Sequence, residues 1–365
     1  MPGKRVKIIN RLFNRPERLF HFSGIKRCPT TKRAVYTYRV AQEIFTMSVP
    51  GKSSYSNENG SNDASPKTHP CLLCGGLKSY AKYDFGPHKI FRCENCNFMW
   101  LNPLPSREEL KEVYNSDYFR NKGFYQEEDE HIYGYYDYIS ERMTKQARYY
   151  TLMEEVVSFL GNFEPEVSRF LDIGCGLGYL LDVASDKGFQ VAGTEFNPDA
   201  VEKIRKKYVF PIFCGDLLDY KDKDFNVISM MDVIEHLTDP LAAVKKASSL
   251  LRPGGIFLIT TMDSDSLVSR LLGKRLEDFR RVREHLFFFN RKTIGYLLEK
   301  EGFEVLKIRS YGHTFRMDFL GDRLKLISPV AGKIFCWIIK FLHLSTFQFY
   351  INPGTKMIVF SRKIR

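Results

Sequence analysis

The stretch from Arg169 to Glu195 constrains the fold of this 365-residue chain more than any other part of it. It reads RFLDIGCGLGYLLDVASDKGFQVAGTE, which is an apolar strand, a glycine turn, a helix and a second strand that ends in a carboxylate. This order is typical of the nucleoside-binding half of a doubly wound α/β domain. Glycines stand where the backbone must bend sharply and lie against a ligand, at Gly174, Gly176 and Gly178. Glu195 is placed to accept hydrogen bonds from both ribose hydroxyls.

The residues around the turn argue against a dinucleotide cofactor. The dinucleotide fingerprint G-x-G-x-x-G needs a small residue at its last position, so that the helix can pack closely against the strand. That position is Tyr179 here, and the turn reads G-x-G-x-G. Asp172 precedes the turn, where its carboxylate would repel a pyrophosphate but attract a cationic amine.

With these residues the chain resembles the class I S-adenosylmethionine (SAM) dependent methyltransferases, and the resemblance extends over most of the chain. It implies a Rossmann-like sheet of seven strands whose last strand is antiparallel. In that family the glycine turn passes under the methionine part of SAM, and acids after the second and third strands hold the ribose and the adenine. The resemblance therefore implies cofactor-binding roles for Asp172, Gly174, Gly176, Gly178, Glu195, Asp216, Leu217 and Met231.

Four parts of the chain are expected from its composition and motifs. Residues 1–68 are predicted to be a basic, mostly disordered extension and residues 69–104 a zinc ribbon. Residues 105–160 are predicted to form a helical, tyrosine-rich cap or linker. The methyltransferase domain is expected over 161–365, with a helical insertion at about 312–350. The extension leaves two starting residues open, Met1 and Met47, and its basic, acid-poor composition leaves an organelle-targeting arm as a less favoured reading.

Charge is distributed unevenly along the chain. The net charge is +12, of which residues 1–46 carry +9 and residues 320–365 carry +7, so that −4 remains for residues 47–319. The net negative charge of residues 47–319 argues against nucleic acid as a partner. The chain shows neither the apolar core of a signal peptide nor an apolar run long enough to span a membrane. A cytoplasmic location is therefore expected.

The insertion carries lysines among bulky apolar residues. The favoured interpretation of this pattern is a pair of helices packed over the active site. The alternative is a basic amphipathic helix pair over about 320–350 that touches the inner face of a membrane or a polyprenyl-linked substrate.

Four cysteines have the spacing of a metal site. The pairs Cys71–Cys74 and Cys93–Cys96 fit C-x2-C-x15–20-C-x2-C, which predicts four thiolates around one Zn²⁺. Four protein ligands leave no open coordination position, so the predicted zinc is structural.

The segment after the cysteines predicts a capped helix and a cap over the site. Ser106 and Glu109 form a capping-box pattern, so a helix should start near Arg107. A zinc ribbon followed by such a segment resembles the N-terminal part of sugar and cell-surface polysaccharide methyltransferases. Nine of the twenty tyrosines lie between Tyr114 and Tyr150. They predict either a lid that stacks on a sugar or ordinary packing.

Two clusters are candidates for the chemistry. The sequence E-H-L-x-x-F at Glu284 and His285 resembles the catalytic loop of sugar C-methyltransferases, which implies His285 as general base and Glu284 as its orienting partner. The second cluster comprises Asp232, Glu235 and His236. It resembles the E-x-x-E-H segment that binds a divalent ion in some quinone-pathway and small-RNA methyltransferases, and it also occurs in methyltransferases without a metal.

These observations predict SAM-dependent methyl transfer to a small-molecule acceptor, in the first place a nucleotide- or lipid-linked sugar. The main alternative is quinone-type O-methylation with Mg²⁺ at Asp232, Glu235 and His236. An RNA methyltransferase with a zinc ribbon is a third possibility, which the acidic body disfavours. A binding module on an inactive fold is the non-enzyme alternative, and the complete set of SAM residues argues against it.

Overall fold

A computed structural model describes residues 70–114, 142–345 and 347–364. All of them belong to one structural unit, Asn62–Arg365. The predicted extension at 1–68 and most of the tyrosine-rich segment, residues 115–141, lie outside the described residues.

The described residues contain thirteen strands. They are β1 (Ser79–Phe85), β2 (His88–Cys93), β3 (Met99–Asn102), β4 (Arg169–Ile173), β5 (Gln190–Glu195), β6 (Ile212–Cys214), β7 (Phe225–Met231), β8 (Leu251–Met262), β9 (Phe287–Phe288), β10 (Phe303–Ser310), β11 (His313–Arg316), β12 (Gln348–Ile351) and β13 (Lys356–Lys363).

The same residues contain ten α-helices. They are α1 (Arg107–Val113), α2 (Arg142–Leu160), α3 (Tyr179–Asp186), α4 (Pro198–Lys207), α5 (Pro240–Leu250), α6 (Leu267–Leu272), α7 (Glu277–Arg280), α8 (Arg291–Lys300), α9 (Met317–Ile327) and α10 (Pro329–Phe341). The predicted capping box is present at the start of α1, where Ser106 and Glu109 satisfy each other's backbone N–H groups.

The main sheet has seven strands in the order β10-β13-β8-β7-β4-β5-β6. The five strands from β6 to β8 in this order are parallel, and β13 pairs antiparallel with both β8 and β10. The predicted seven-stranded sheet with an antiparallel last strand is therefore confirmed. Neighbouring residues of β4, Phe170 and Leu171, are buried in two different apolar clusters, as expected for a sheet covered on both faces.

A second sheet joins the cysteine segment to the methyltransferase domain. Its order is β1-β2-β3-β9, and β9 is the two-residue strand just after His285. Phe98 stacks on Phe287 with ring centroids 5.8 Å apart, and the N–H of Leu101 donates to the carbonyl of Leu286 at 2.8 Å. The cysteine segment is thus packed against the loop that carries His285.

The segment between β10 and β13 contains the β11–β12 hairpin and the helices α9 and α10. Among the described residues, no helix is both long and apolar enough to cross a membrane.

Candidate functional site

The predicted SAM residues meet at one edge of the main sheet. Asp172, Glu195 and Met231 lie at or next to the carboxyl ends of β4, β5 and β7, and Asp216 follows β6. In a parallel α/β sheet this edge is where ligands bind. Asp216 accepts a hydrogen bond from the N–H of Leu218 at 2.9 Å and so caps the short turn in which Leu217 is buried.

The turn after β4 requires glycine. Gly174 has a φ of +67°, and a Cβ at this position would lie 2.6 Å from Cγ2 of Val233. Gly178 begins α3 in the left-handed region, at a φ of +75°. Side chains at these positions would cost strain and fill the space above the turn.

Glu195 is buried and ties the turn to the second strand. One carboxylate oxygen accepts from the N–H of Gly176 at 2.8 Å and the other from the N–H of Asn197 at 2.9 Å. Burial raises the pKa of this carboxyl above its ordinary value. Each carboxylate oxygen has a second acceptor site, which fits the predicted role in binding ribose hydroxyls.

Asp172 lies in the wall of a cavity that Gly174 and Met231 also line. Its side chain is 3% exposed and accepts a hydrogen bond from the hydroxyl of Ser229 at 2.6 Å. Burial raises the pKa of Asp172 to about 7. A cationic ligand would favour the ionised form of such a carboxyl.

Sequence reasoning missed two cationic residues of α2 that line this cavity, Lys145 and Arg148. Arg148 is the one that lies against an aromatic ring. Its guanidinium lies over the ring of Tyr311, 4.0 Å from the centroid. The buried Nη2 atom has no hydrogen-bond partner among the described residues. The sequence signals a helix before β4, but nothing in it indicates which basic residue of that helix faces the cavity.

A second group of side chains lies beside this cavity. Glu235 and His236 belong to the short turn after β7, and His285 comes from the loop before β9. One ligand atom from each of the three lies within 4.8 Å of the others. The two imidazole rings meet edge to face with centroids 4.8 Å apart. Asp232, three residues before Glu235, lines the cavity itself.

Backbone carbonyls orient both histidines. Nδ1 of His236 bonds to the carbonyl of Glu284, and Nδ1 of His285 bonds to the carbonyl of Asp278, each at 2.9 Å. A carbonyl only accepts, so Nδ1 of each ring carries the proton and Nε2 of the neutral ring keeps its lone pair. The buried Oε2 atom of Glu235 has no hydrogen-bond partner among the described residues. The group therefore holds free donor atoms for a cation.

Burial determines the protonation of these groups. It lowers the pKa of His236 to about 4 and holds the pKa of His285 well below its ordinary value. Burial, with the Asp232 carboxylate as a second cause, raises the pKa of Glu235 to about 8. The histidines are thus neutral, which is the form that binds a metal.

Two predicted contacts differ in the structure. The Glu284 carboxylate pairs with Arg281 at 2.5 Å, while the orienting partner at Nδ1 of His285 is the carbonyl of Asp278. Glu284 contributes its own backbone carbonyl, to His236. The cause is local, because the turn before His285 brings the guanidinium of Arg281 next to the carboxylate of Glu284.

Asp232 also differs from its predicted place among the metal ligands. Its carboxylate pairs with Nζ of Lys356 at 2.5 Å and accepts from the hydroxyl of Thr260 at 3.0 Å. The place expected for Asp232, beside Glu235 and His236, is taken by His285. Lys356 comes from β13, more than a hundred residues away in sequence, and no motif marks it.

The four predicted zinc ligands lie together. The Sγ atoms of Cys71 and Cys96 are 3.6 Å apart, those of Cys74 and Cys93 are 3.7 Å apart, and all four lie within 4.8 Å of one another. A tetrahedral zinc with Zn–S bonds of about 2.3 Å has sulfur–sulfur edges of about 3.8 Å. None of the four forms a disulfide.

Comparison with known protein families singles out the same part of the chain that forms the ligand-binding edge of the main sheet. Residues 143–308 match the family described as a methyltransferase domain. The matched region, less than half of the chain, includes β4 to β9 and most of β10.

Among curated proteins, the methyltransferase domain is similar to ubiquinone biosynthesis O-methyltransferase of Xanthomonas axonopodis pv. citri. The two are 30% identical over 111 residues, which cover 27% of this chain and 45% of the relative. A protein of Mycolicibacterium smegmatis named "Probable S-adenosylmethionine-dependent methyltransferase" is 33% identical over 138 residues, covering 37% and 51%. The chain spans about half the length of the curated relatives it matches.

Among solved structures, magnesium protoporphyrin IX methyltransferase of Synechocystis PCC 6803 with bound SAH is similar at 15% identity. The TM-score is 0.45, with 71% of this chain and all of the other covered. A SAM-dependent methyltransferase from Archaeoglobus fulgidus gives a TM-score of 0.41 at 19% identity, covering 62% of this chain and all of the other.

Proposed function

We propose that the chain transfers a methyl group from SAM to a hydroxyl oxygen of a small acceptor, with a divalent cation held by Glu235, His236 and His285. The observation that carries this proposal is the convergence of these three side chains within 4.8 Å, beside a cavity lined by Asp172. The two imidazoles are neutral with fixed tautomers, and Oε2 of Glu235 has no partner among the described residues. A cation would displace the proton that Glu235 holds at neutral pH and would bind all three groups.

The cofactor side follows from the residues of the sheet edge. Asp172 would hold the methionine amine of SAM, Glu195 the ribose and Asp216 the adenine. Arg148, with its unpartnered buried Nη2, would meet the methionine carboxylate. These contacts fix the position of the reactive methyl group relative to the acceptor.

The cation has one task in this proposal. A bound cation would lower the pKa of an acceptor hydroxyl, whose proton would pass to solvent; the oxygen would then bond to the methyl carbon of SAM as the sulfur–methyl bond breaks and SAH leaves. The backbone carbonyls of Glu284 and Asp278 hold the imidazole rings of His236 and His285 in place. The ammonium group of Lys356 neutralises the nearby carboxylate of Asp232. Two nitrogen ligands favour Mn²⁺ or Zn²⁺ over the Mg²⁺ expected from the sequence.

We further propose that the four cysteines hold a structural zinc ion. The sulfur–sulfur distances near 3.7 Å support a tetrahedral site without an open position. The sheet pairing of β3 with β9 then fixes the loop of His285.

The sugar-linked acceptor, which the sequence favoured first, is the second candidate here. The packing of the cysteine segment against the His285 loop favours it, because the resemblance to polysaccharide and sugar methyltransferases rests on that combination. In this alternative His285 is the base and no cation is needed.

The deciding experiment is Mn²⁺ binding by calorimetry to zinc-replete protein. We expect one site beyond the structural zinc in the wild type, loss of that site in His236→Ala, and its retention in His343→Ala, which removes an exposed histidine elsewhere. Formation of SAH with a panel of catechol and sugar-linked acceptors then identifies the acceptor. Equal Mn²⁺ binding by the wild type and His236→Ala would contradict the cation proposal and favour the base alternative.

A further inference from the structure

Helix α10 turns an apolar face outward. Val330, Ile334, Trp337 and Phe341 follow each other at spacings of four, three and four residues, which places them on one side of the helix. Their exposed fractions are 69%, 55%, 67% and 71%. The residues on the opposite side, such as Ile339, are buried. This is the reverse of the usual arrangement, in which the outward face of a surface helix is polar.

The outward face is fixed by close packing beneath it. A Cβ at Gly332 of α10 would lie 2.4 Å from the backbone nitrogen of Lys325 in α9. A Cβ at Gly321 of α9 would lie 2.5 Å from Sγ of Cys336. The two glycines let the helices touch, so rotation of α10 to bury its outer face would break both contacts.

Neighbouring residues extend the apolar surface. Beyond the end of α10 the exposed large apolar side chains are Leu342, Leu344, Phe347, Tyr350 and Ile351. We call the four exposed residues of α10 the outer face. Large apolar side chains exposed along one side of a helix mark an interaction site rather than ordinary exposure.

Charge identifies the partner of the outer face. Lys333 and Lys340, seven residues apart, lie exposed along one side of it. Residues 323–365 contain eight Lys and Arg and no Asp or Glu. A second copy would bring the same lysines against the same face and place like charges together. An anionic lipid surface offers acyl chains to the apolar residues and phosphates to the lysines.

We propose that the outer face docks on an anionic phospholipid bilayer, with α10 lying in the plane of the interface. A helix of 13 residues is about 20 Å long, too short to span the hydrocarbon core of about 30 Å. Trp337 sits on the outer face, and tryptophan favours the headgroup region. The inference does not depend on which acceptor is methylated.

The test must report on the outer face itself, because the basic residues 1–46 also attract anionic vesicles. Trp337 provides the reporter. The chain has two tryptophans, and the other, Trp100, packs against Phe91 and Phe98. Full-length protein is mixed with phosphatidylcholine vesicles, with or without phosphatidylglycerol, that carry brominated acyl chains. We expect a blue shift and quenching of the tryptophan emission with the anionic vesicles, and neither in Trp337→Phe.

Variants of the outer face separate its apolar and charged parts. Ile334→Glu combined with Phe341→Glu should lower vesicle affinity more than tenfold, and each of Lys333→Gln and Lys340→Gln by about fivefold. Tyr296→Glu, which changes an exposed aromatic residue on α8, is the matched control and should bind as the wild type does. Unchanged SAM affinity in every variant shows that the fold is intact.

Two results would overturn the proposal. Vesicle binding without any change in the emission of Trp337 means that another part of the chain holds the lipid. The other result is a protein that does not bind vesicles but forms a concentration-dependent dimer, which the double variant Ile334→Glu with Phe341→Glu dissociates. That result would mean that the outer face joins two copies of the chain.

Discussion

The described residues include two clusters of side chains that could hold a metal ion, and they differ in kind. The cysteine cluster has four identical soft donors at nearly equal distances, supplied by two short segments of the sequence. The cluster of Glu235, His236 and His285 has three mixed donors, supplied by segments about fifty residues apart. Four protein ligands complete a tetrahedron, whereas three leave a position open. On this comparison we expect a structural role for the first cluster and a chemical role for the second.

Loss of a cysteine ligand should have the largest effect. Structural zinc in small domains contributes on the order of 10 kcal/mol to folding. We expect Cys93→Ser to lose zinc and to lose hydrogen-exchange protection in β1 to β3. Cys214→Ser, outside the cluster, should keep both. Elemental analysis and hydrogen exchange check this, and a zinc-free protein with a protected β1–β3 sheet would remove the structural role.

The mixed cluster should control turnover and not stability. His236→Ala and His285→Ala are each expected to lower turnover by roughly 10² to 10⁴-fold, because the cation or the base is lost, while SAM affinity stays unchanged. Chelation that leaves the structural zinc in place should act like His236→Ala. Steady-state kinetics with and without added Mn²⁺ checks this. A loss confined to His285→Ala would identify His285 as a base acting without a metal.

The SAM pocket provides a reference for both clusters. Glu195→Ala should weaken SAM binding by about 1 to 3 kcal/mol through the loss of charge-assisted hydrogen bonds. Glu202→Ala, an exposed acid on α4, should not. Calorimetry measures both. Unchanged affinity in Glu195→Ala would mean that the ribose contact lies elsewhere.

The smallest expected effect is the pH dependence of SAM binding. Burial raises the pKa of Asp172 to about 7, and only the ionised carboxyl attracts the amine of SAM. Affinity should therefore rise roughly tenfold between about pH 5.5 and 7. Asp172→Asn should bind more weakly and show no such rise. Calorimetry across this range decides it, and an equally steep rise in Asp172→Asn would assign the titration to another group.

The raised pKa of Asp172 also predicts how the free energy of unfolding depends on pH in the protein without SAM. The folded-state pKa lies above the unfolded one, so Asp172 stays protonated in the folded protein where the unfolded chain has already lost the proton. The free energy of unfolding should fall as pH rises from about 4 to 7 on this account, and SAM should offset the loss.

The convergence of the proposed cofactor residues at one edge of the sheet could be predicted because its determinants are local. Asp172, the glycine turn and Glu195 fall within 24 residues, and the strand-turn-helix-strand order fixes where each side chain lies. The cysteine cluster was predictable for the same reason, since two C-x2-C pairs carry their own turn geometry.

The acceptor half depends on contacts that a pattern does not contain. Lys356 reaches Asp232 from the antiparallel strand β13, and Arg148 enters the cavity from α2. Sequence spacing suggested Asp232 as a metal ligand and Glu284 as a partner of His285, but tertiary packing gave Lys356 to the first and Arg281 to the second. Burial of charge forced these pairings, because an unpaired buried carboxylate is costly.

The pairing of β3 with β9 has a thermodynamic consequence for the two clusters. Both strands gain order from the same backbone hydrogen bonds, so a ligand that orders one side lowers the entropic cost of ordering the other. Such coupling is reciprocal. If zinc at the cysteines raises the affinity of the histidine cluster for its cation by some factor, that cation must raise the affinity of the cysteines for zinc by the same factor.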